Sequence, residues 1–158
     1  MSINIDDSEV QRALARLKAE FVNPSNLQKL FRKIANVVKK DIREHFRNET
    51  GPAQAGKAFS EVGQKWAELS PVTKANKAKK GTLGKGKLVD SGKMKKSIKK
   101  FYDSKSAGME TSVRYARTHQ NGKGKVPARS FFWFSRKAVN ETLELIENNI
   151  KRAWRNLP

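Results

Sequence analysis

The chain has 158 residues, with 34 Lys or Arg against 15 Asp or Glu, a formal charge of +19 and no cysteine. That is the size of one domain, able to bury roughly two-thirds of the surface its unfolded form would expose. Lack of cysteine excludes a disulfide framework, a thiolate nucleophile and cysteine-ligated zinc, while the charge favours phosphates, anionic lipid or acidic protein surfaces and says nothing about fold.

No apolar run approaches the roughly 18 residues that span a bilayer, and Asp6 and Asp7 stand where a signal peptide would be basic. The expectation is a chain made in the cytoplasm that neither crosses a membrane nor is exported. Ser2 to Asp6 alternates, with Ile3 and Ile5 on one side, and reads as a short strand. Ser8 and Gln11 have the spacing of a capping box, opening a helix with the stripe Val10, Leu14, Leu17 and Phe21.

Asn23 and Pro24 end that pattern, and Ser25 with Gln28 reads as the capping box of a second helix. Its apolar positions, Leu27, Leu30, Phe31, Ile34, Val37, Val38, Ile42 and Phe46, recur at three- and four-residue steps over about five turns. This predicts the core helix, with Lys33, Lys39, Lys40 and Arg43 in solvent. Asn48 to Gly56, rich in Gly and small residues, reads as a loop. Ser70 followed by Pro71 starts a short helix to about Lys80, because proline lacks only an N–H that the first turn would leave unused.

From Lys74 to Lys100 there are eleven lysines and one acid, Asp90. Residues 77–87 hold too little apolar area to offset ordering entropy and are expected to form a flexible arm. Leu88, Val89, Met94 and Ile98 then lead into an antiparallel hairpin of Ser97 to Tyr102 and Met109 to Arg114, joined through DSKSAG. Tyr115 to Asn121 fits a short helix ended by Gly122 and Gly124. Ser135 caps a last helix carrying Ala138, Val139, Leu143, Ile146, Ile150 and Trp154, with glutamates early and bases late as the helix dipole favours. The fold expectation is α+β: a small antiparallel sheet with a central hairpin, packed against a long amphipathic helix and a C-terminal helix, in one domain over 1–158.

Chemistry-bearing patterns are sparse. Tyr115 and His119 would share a helix face, as an acid/base pair does, but no nucleophile accompanies them. His45 and His119 have no metal-ligand spacing. The GTLGKGK stretch lacks the spacing of a phosphate-binding loop and the Ser or Thr that follows its lysine. The sequence therefore calls for no catalytic group, metal or cofactor. Lys77, Lys79, Lys80, Lys85, Lys87, Lys95 and Lys96 form a candidate contact for DNA or an acidic partner, through counterion release without base readout.

Three fragments occur in order: Trp66-Ala67-Glu68-Leu69-Ser70 with Thr73; Leu88-Val89-Asp90-Ser91-Gly92 with Met94 and Ser97-Ile98; and Tyr115-Ala116 leading to His119-Gln120-Asn121-Gly122 and Pro127-Ala128-Arg129-Ser130-Phe131. Together they resemble the phage virion morphogenesis family, the tail completion proteins of Mu-like phages and prophages. The resemblance implies a non-enzymatic structural protein of tail completion or head-tail joining, as a ring-forming neck or tail-terminator subunit. Its implied partners are copies of itself, tail tube, tail terminator or connector proteins, and phage DNA non-specifically, with no membrane. It would be found in the host cytoplasm during assembly and at the virion neck or tail end. Tyr115, His119, Gly122, Pro127, Arg129, Phe131 and Phe132 are the expected subunit or partner interface. A free DNA-binding protein using the lysine tract is the alternative.

Overall fold

A computed structural model describes residues 23–55 and 57–155, together with residues 11, 12, 15, 16, 18 and 19, which are helical and exposed. The strand expected at Ile3 and Ile5, the Ser8 cap and the stripe Val10, Leu14, Leu17 and Phe21 lie outside the described residues.

The long helix α1 spans Pro24–Asn48. Its cap differs from the expected Ser25–Gln28 box: the Asn23 side chain accepts from Ser25 N–H at 2.9 Å, and Pro24 occupies the first turn. Proline there is a helix start and not a break, since its φ is already helical. Leu30, Ala35, Val38, Asp41, Ile42, His45 and Phe46 are buried along it. The expected apolar stripe thus holds, with two polar members that periodicity alone does not flag.

Two units pack on α1. On one side lies the hairpin of β4 (Lys99–Tyr102) and β5 (Ala107–Glu110), with Phe101 opposite Gly108. A Cβ at Gly108 would come within 2.7 Å of the Phe101 ring, so a larger residue there would displace that ring from across the strand pair. The turn is closed by Asp103, whose carboxylate accepts from the N–H groups of Lys105 and Ser106, each at 2.6 Å. Both strands are shorter than expected: Ser97 ends a short helix, α3 (Lys93–Ser97), and pairing stops at Glu110.

On the other side lies α5 (Arg136–Arg155). Two shorter helices are α2 (Pro71–Lys79), capped by Ser70 as expected, and α4 (Ala116–Asn121). Two small pairings complete the sheet content. β1 (Thr50–Pro52) runs antiparallel to β3 (Gly63–Lys65), so part of the expected 48–56 loop is strand. β2 (Phe59–Ser60) runs parallel to β6 (Phe134–Ser135). The core joins Val38, Ile42 and Phe46 of α1 to Trp66, Leu88, Met94, Ala116 and Phe131. Phe46 meets Trp66 edge-on at 5.6 Å and Phe131 at 5.3 Å.

The inward face of α5 is also a correction. Ala138 and Ala153 are its buried residues, whereas Leu143, Ile150 and Trp154 are 53%, 41% and 57% exposed. Val139, Leu145 and Ile146 are half-buried, so the contact with α1 is shared by small and large side chains while Leu143, Ile150 and Trp154 point outward. The start of α5 is fixed by Asp41: its carboxylate accepts from Ser135 Oγ at 2.6 Å and from Ser135 N–H at 3.0 Å, while Ser135 Oγ accepts from Ala138 N–H. A buried anion at a helix N-terminus also complements the dipole.

Burial pushes the Asp41 carboxyl up, and the adjacent His45 ring, 3.4 Å away, together with the hydrogen bonds from Ser135, outweighs it, holding the group below the ordinary aspartate range. A depressed carboxyl contributes stability that is complete above its unfolded pKa and is lost as pH falls through the folded value. Thermal stability should therefore fall as the pH drops below about 4. Asp41→Asn should cost about 1–3 kcal/mol at pH 7 and flatten that acid limb, as followed by circular dichroism melts from pH 7 to 2.

Candidate assembly interface

The residues from Arg129 to Phe132 run through the interior without belonging to a helix or strand, so their backbone groups require partners from elsewhere. Gln120 on α4 supplies several. Its Oε1 accepts from the N–H groups of Phe131 and Phe132, both at 2.9 Å, and its Nε2 donates to Phe132 O at 2.9 Å. One amide thus stands in for a strand neighbour. Ser130 Oγ donates to Gln120 O, and Arg129 N–H donates to His119 O at 2.7 Å.

Arg129 reaches the other way. Its Nε donates to Ala67 O at 2.9 Å and its Nη2 to Glu68 O at 2.7 Å, while Trp66 Nε1 donates to Ser130 O at 3.0 Å. The turn after α4 depends on Gly122, at φ +76°, where a Cβ would lie 2.9 Å from Ala128 N. Gly51 sits equally close to Ser130 O and the Trp66 indole. Below this knot, His45 Nδ1 lies 3.2 Å from Phe131 O, its Nε2 3.4 Å from Asp41, and its ring stacks on Trp133 at 4.2 Å.

The lysine segment is tied to the same knot. Glu49, at φ +54° beyond α1, accepts Lys87 N–H at 2.6 Å. The Lys87 ammonium donates to Trp66 O at 2.8 Å and pairs with Glu68 at 2.7 Å. Lys77 is buried and donates to Gly86 O and Val89 O, at 2.9 and 2.7 Å. Thr82 and Lys80 both donate to Asp90, which holds that carboxyl below its usual range. Residues 77–87 are thus fastened at both ends, because composition counts charges and cannot see carbonyl acceptors. Lys77 and Lys87 are spent inside the subunit, whereas Lys79, Lys80, Lys85, Lys95 and Lys96 are exposed.

The sequence pattern of the phage virion morphogenesis family matches residues 5–151. The chain belongs to that family. No curated protein and no solved structure matches it. Family membership makes the protein a phage virion morphogenesis factor, and among the described residues no helix is long and apolar enough to cross a membrane. In this family member, the first and third of the fragments that carried the sequence resemblance meet through hydrogen bonds, and the second joins them in the core through Leu88 and Met94.

The expected interface residues divide between inside and outside. Phe131 is 0% exposed and Arg129 5%, so neither presents its side chain to a neighbour. The aromatic run turns inward because Phe131 and Trp133 fill the core beside Phe46 and His45. Tyr115 and Pro127 are exposed; His119, Gly122 and Phe132 are half-buried. Tyr115 and His119 do come together, edge to face at 6.1 Å. Sequence reasoning missed Gln120 as the clasp, Asp41 as the helix anchor, and the exposed row on α5. A polar residue inside an apolar stripe was the available signal for Asp41.

Two measurements test this assignment. Arg129→Ala leaves two carbonyls without their charged donor and should cost about 3 kcal/mol of stability, read by urea unfolding; Arg129→Lys should recover only part, lacking the planar fork. His119 is pushed below the usual histidine range by burial and then by the Arg129 charge. Its contribution is therefore present above pH 6.5 and lost as pH falls through the lower folded value. His119→Asn should remove that slope from melts between pH 7.5 and 5.

Proposed function

We propose that the chain completes the tail or joins it to the head, as a subunit of a ring at the virion neck or tail end. Family membership supports the morphogenetic role. The observation that carries the finer reading is the hairpin. Among the described residues no third strand pairs with β4 or β5, so each keeps an outer edge of unpaired backbone groups. Solitary hairpins expose a template for strand addition, and closing a ring of identical subunits is one way to use it up. Phe101 and Tyr115, 43% and 47% exposed, add apolar area on the surface.

Non-specific DNA contact is a second property of the same subunit. Lys79, Lys85, Lys95 and Lys96 have no acidic partner among the described residues, and a channel lined by such lysines would hold a phosphate backbone without reading bases. A free regulator would need a base-reading element, for which neither the arginine placement nor the helix order provides.

Deleting the coding sequence from the intact phage or prophage, followed by electron microscopy, tests the role. Heads with unattached or abnormal tails are expected; normal, infectious particles would overturn it. Negative-stain images of the purified chain, alone and with tail tubes, test the ring. Only monomers in both preparations would remove that part.

A further inference from the structure

The side of α1 turned away from α5 forms a groove with α3 and the segment preceding it, of about 460 Å³. Ile42, Phe46, Val89 and Ile98 make its floor, and Lys39, Arg43, Lys95 and Lys96 its rim. No acid lines it, and none of the four cations has an ion-pair partner among the described residues. Lys77, Lys80 and Lys87 show the contrast, since each is committed to carbonyls or acids within the subunit. An apolar floor under an unneutralised cationic rim fits an acidic segment with apolar side chains. A phosphate backbone would neutralise the rim and leave Val89 and Ile98 uncovered.

A surface of that chemistry occurs on the same chain. From Val139 to Ile150, α5 carries Glu141, Glu144 and Glu147 and no base. Leu143, Ile150 and Trp154 lie seven and four residues apart, on one side of the helix, and are 53%, 41% and 57% exposed. Glu144 and Glu147 are exposed beside them, whereas Glu141 is turned toward Lys40 of α1. This face is therefore apolar and locally acidic; Glu144 has no cationic partner among the described residues, and Glu147 has only the exposed Lys151 one turn on, at 3.7 Å, a pair that contributes little by itself.

The two surfaces lie on different sides of α1. Val37, Lys40, Asp41 and Glu44 border α5, while Lys39, Ile42, Arg43 and Phe46 border the groove. They cannot meet within one copy, which leaves them free to meet between copies. We propose that the outer face of α5 from one subunit docks in the α1–α3 groove of the next. The contact is head-to-tail, the kind that generates a ring when its rotation closes. It follows the helix-in-groove mode, with Leu143 and Ile150 as anchors on the floor and Glu144 and Glu147 against the rim. This rests on the ring reading and names the surfaces that would build it.

Charge exchange in the full chain tests the contact. Arg43→Glu with Lys95→Glu reverses the rim, and Glu144→Lys with Glu147→Lys reverses the helix. Either pair should weaken self-association about tenfold or more in sedimentation equilibrium, because like charges facing across an interface are strongly disfavoured. All four substitutions together should restore it, with unchanged far-ultraviolet circular dichroism throughout. Association within about twofold of wild type in either pair, or no recovery in the fourfold variant, would overturn the proposal. Rings of wild type that persist in both paired variants would leave the ring reading standing and remove this contact. A wild-type chain that stays monomeric, alone and with tail tubes, would remove both. If the rim reversal lowered binding of a 20-base-pair duplex without changing association, the groove would belong to DNA and the proposal would fail.

Discussion

An irregular segment crosses the interior of this subunit, and its peptide groups must be satisfied by side chains. Burying an unpaired amide costs about as much as several favourable apolar contacts return. Gln120 answers for the amides of Phe131 and Phe132, Trp66 for the carbonyl of Ser130, and Arg129 for the carbonyls of Ala67 and Glu68. Those bonds tie three stretches of the chain, around Trp66, Gln120 and Phe131, into one unit. The helices α1 and α5 frame the molecule; the polar knot determines how the rest fits between them.

Charge in this chain has three different uses. Some cations act as hydrogen-bond donors inside, as Lys77, Lys87 and Arg129 do. Others join exposed ion pairs, such as Lys40 with Glu141 and Lys137 with Glu44, which contribute little individually at the surface. Still others, Lys79, Lys85, Lys95 and Lys96, are exposed with no acidic partner among the described residues. Net charge therefore overstates the cationic surface left open.

Legibility in the sequence followed the length of each signal. α1 repeats its pattern over many turns, and periodicity found it; the pairings at Thr50–Pro52 and Phe59–Ser60 are too short to alternate. The last helix was found with half of its stripe facing inward: Ala138 is buried and Val139 and Ile146 half-buried, whereas Leu143, Ile150 and Trp154 lie outside. Arg129 and Phe131 were picked out as important, and they are, through the interior. The family resemblance located the knot without revealing its hydrogen bonds, since a motif records which residues occur and not what they touch. Lys77 and Lys87 were hidden by their own composition: eleven lysines in a row of loops look alike until two of them find carbonyls.

The helix α2 illustrates what such a placement entails. Its buried residue is Lys77, and Val72 is 70% exposed, so almost no hydrocarbon is withdrawn from water where it meets the body. Separation of that helix would break the Lys77 bonds to Gly86 O and Val89 O and the ion pairs of Lys74 with Glu68 and Lys80 with Asp90, all of them polar contacts. Heat capacity responds mainly to apolar exposure, so calorimetry would scarcely register the event. Amide exchange along 71–87 would register it directly. The helix is therefore held by a polar catch, and the rest of the segment by Lys87, whose ammonium reaches Trp66 O.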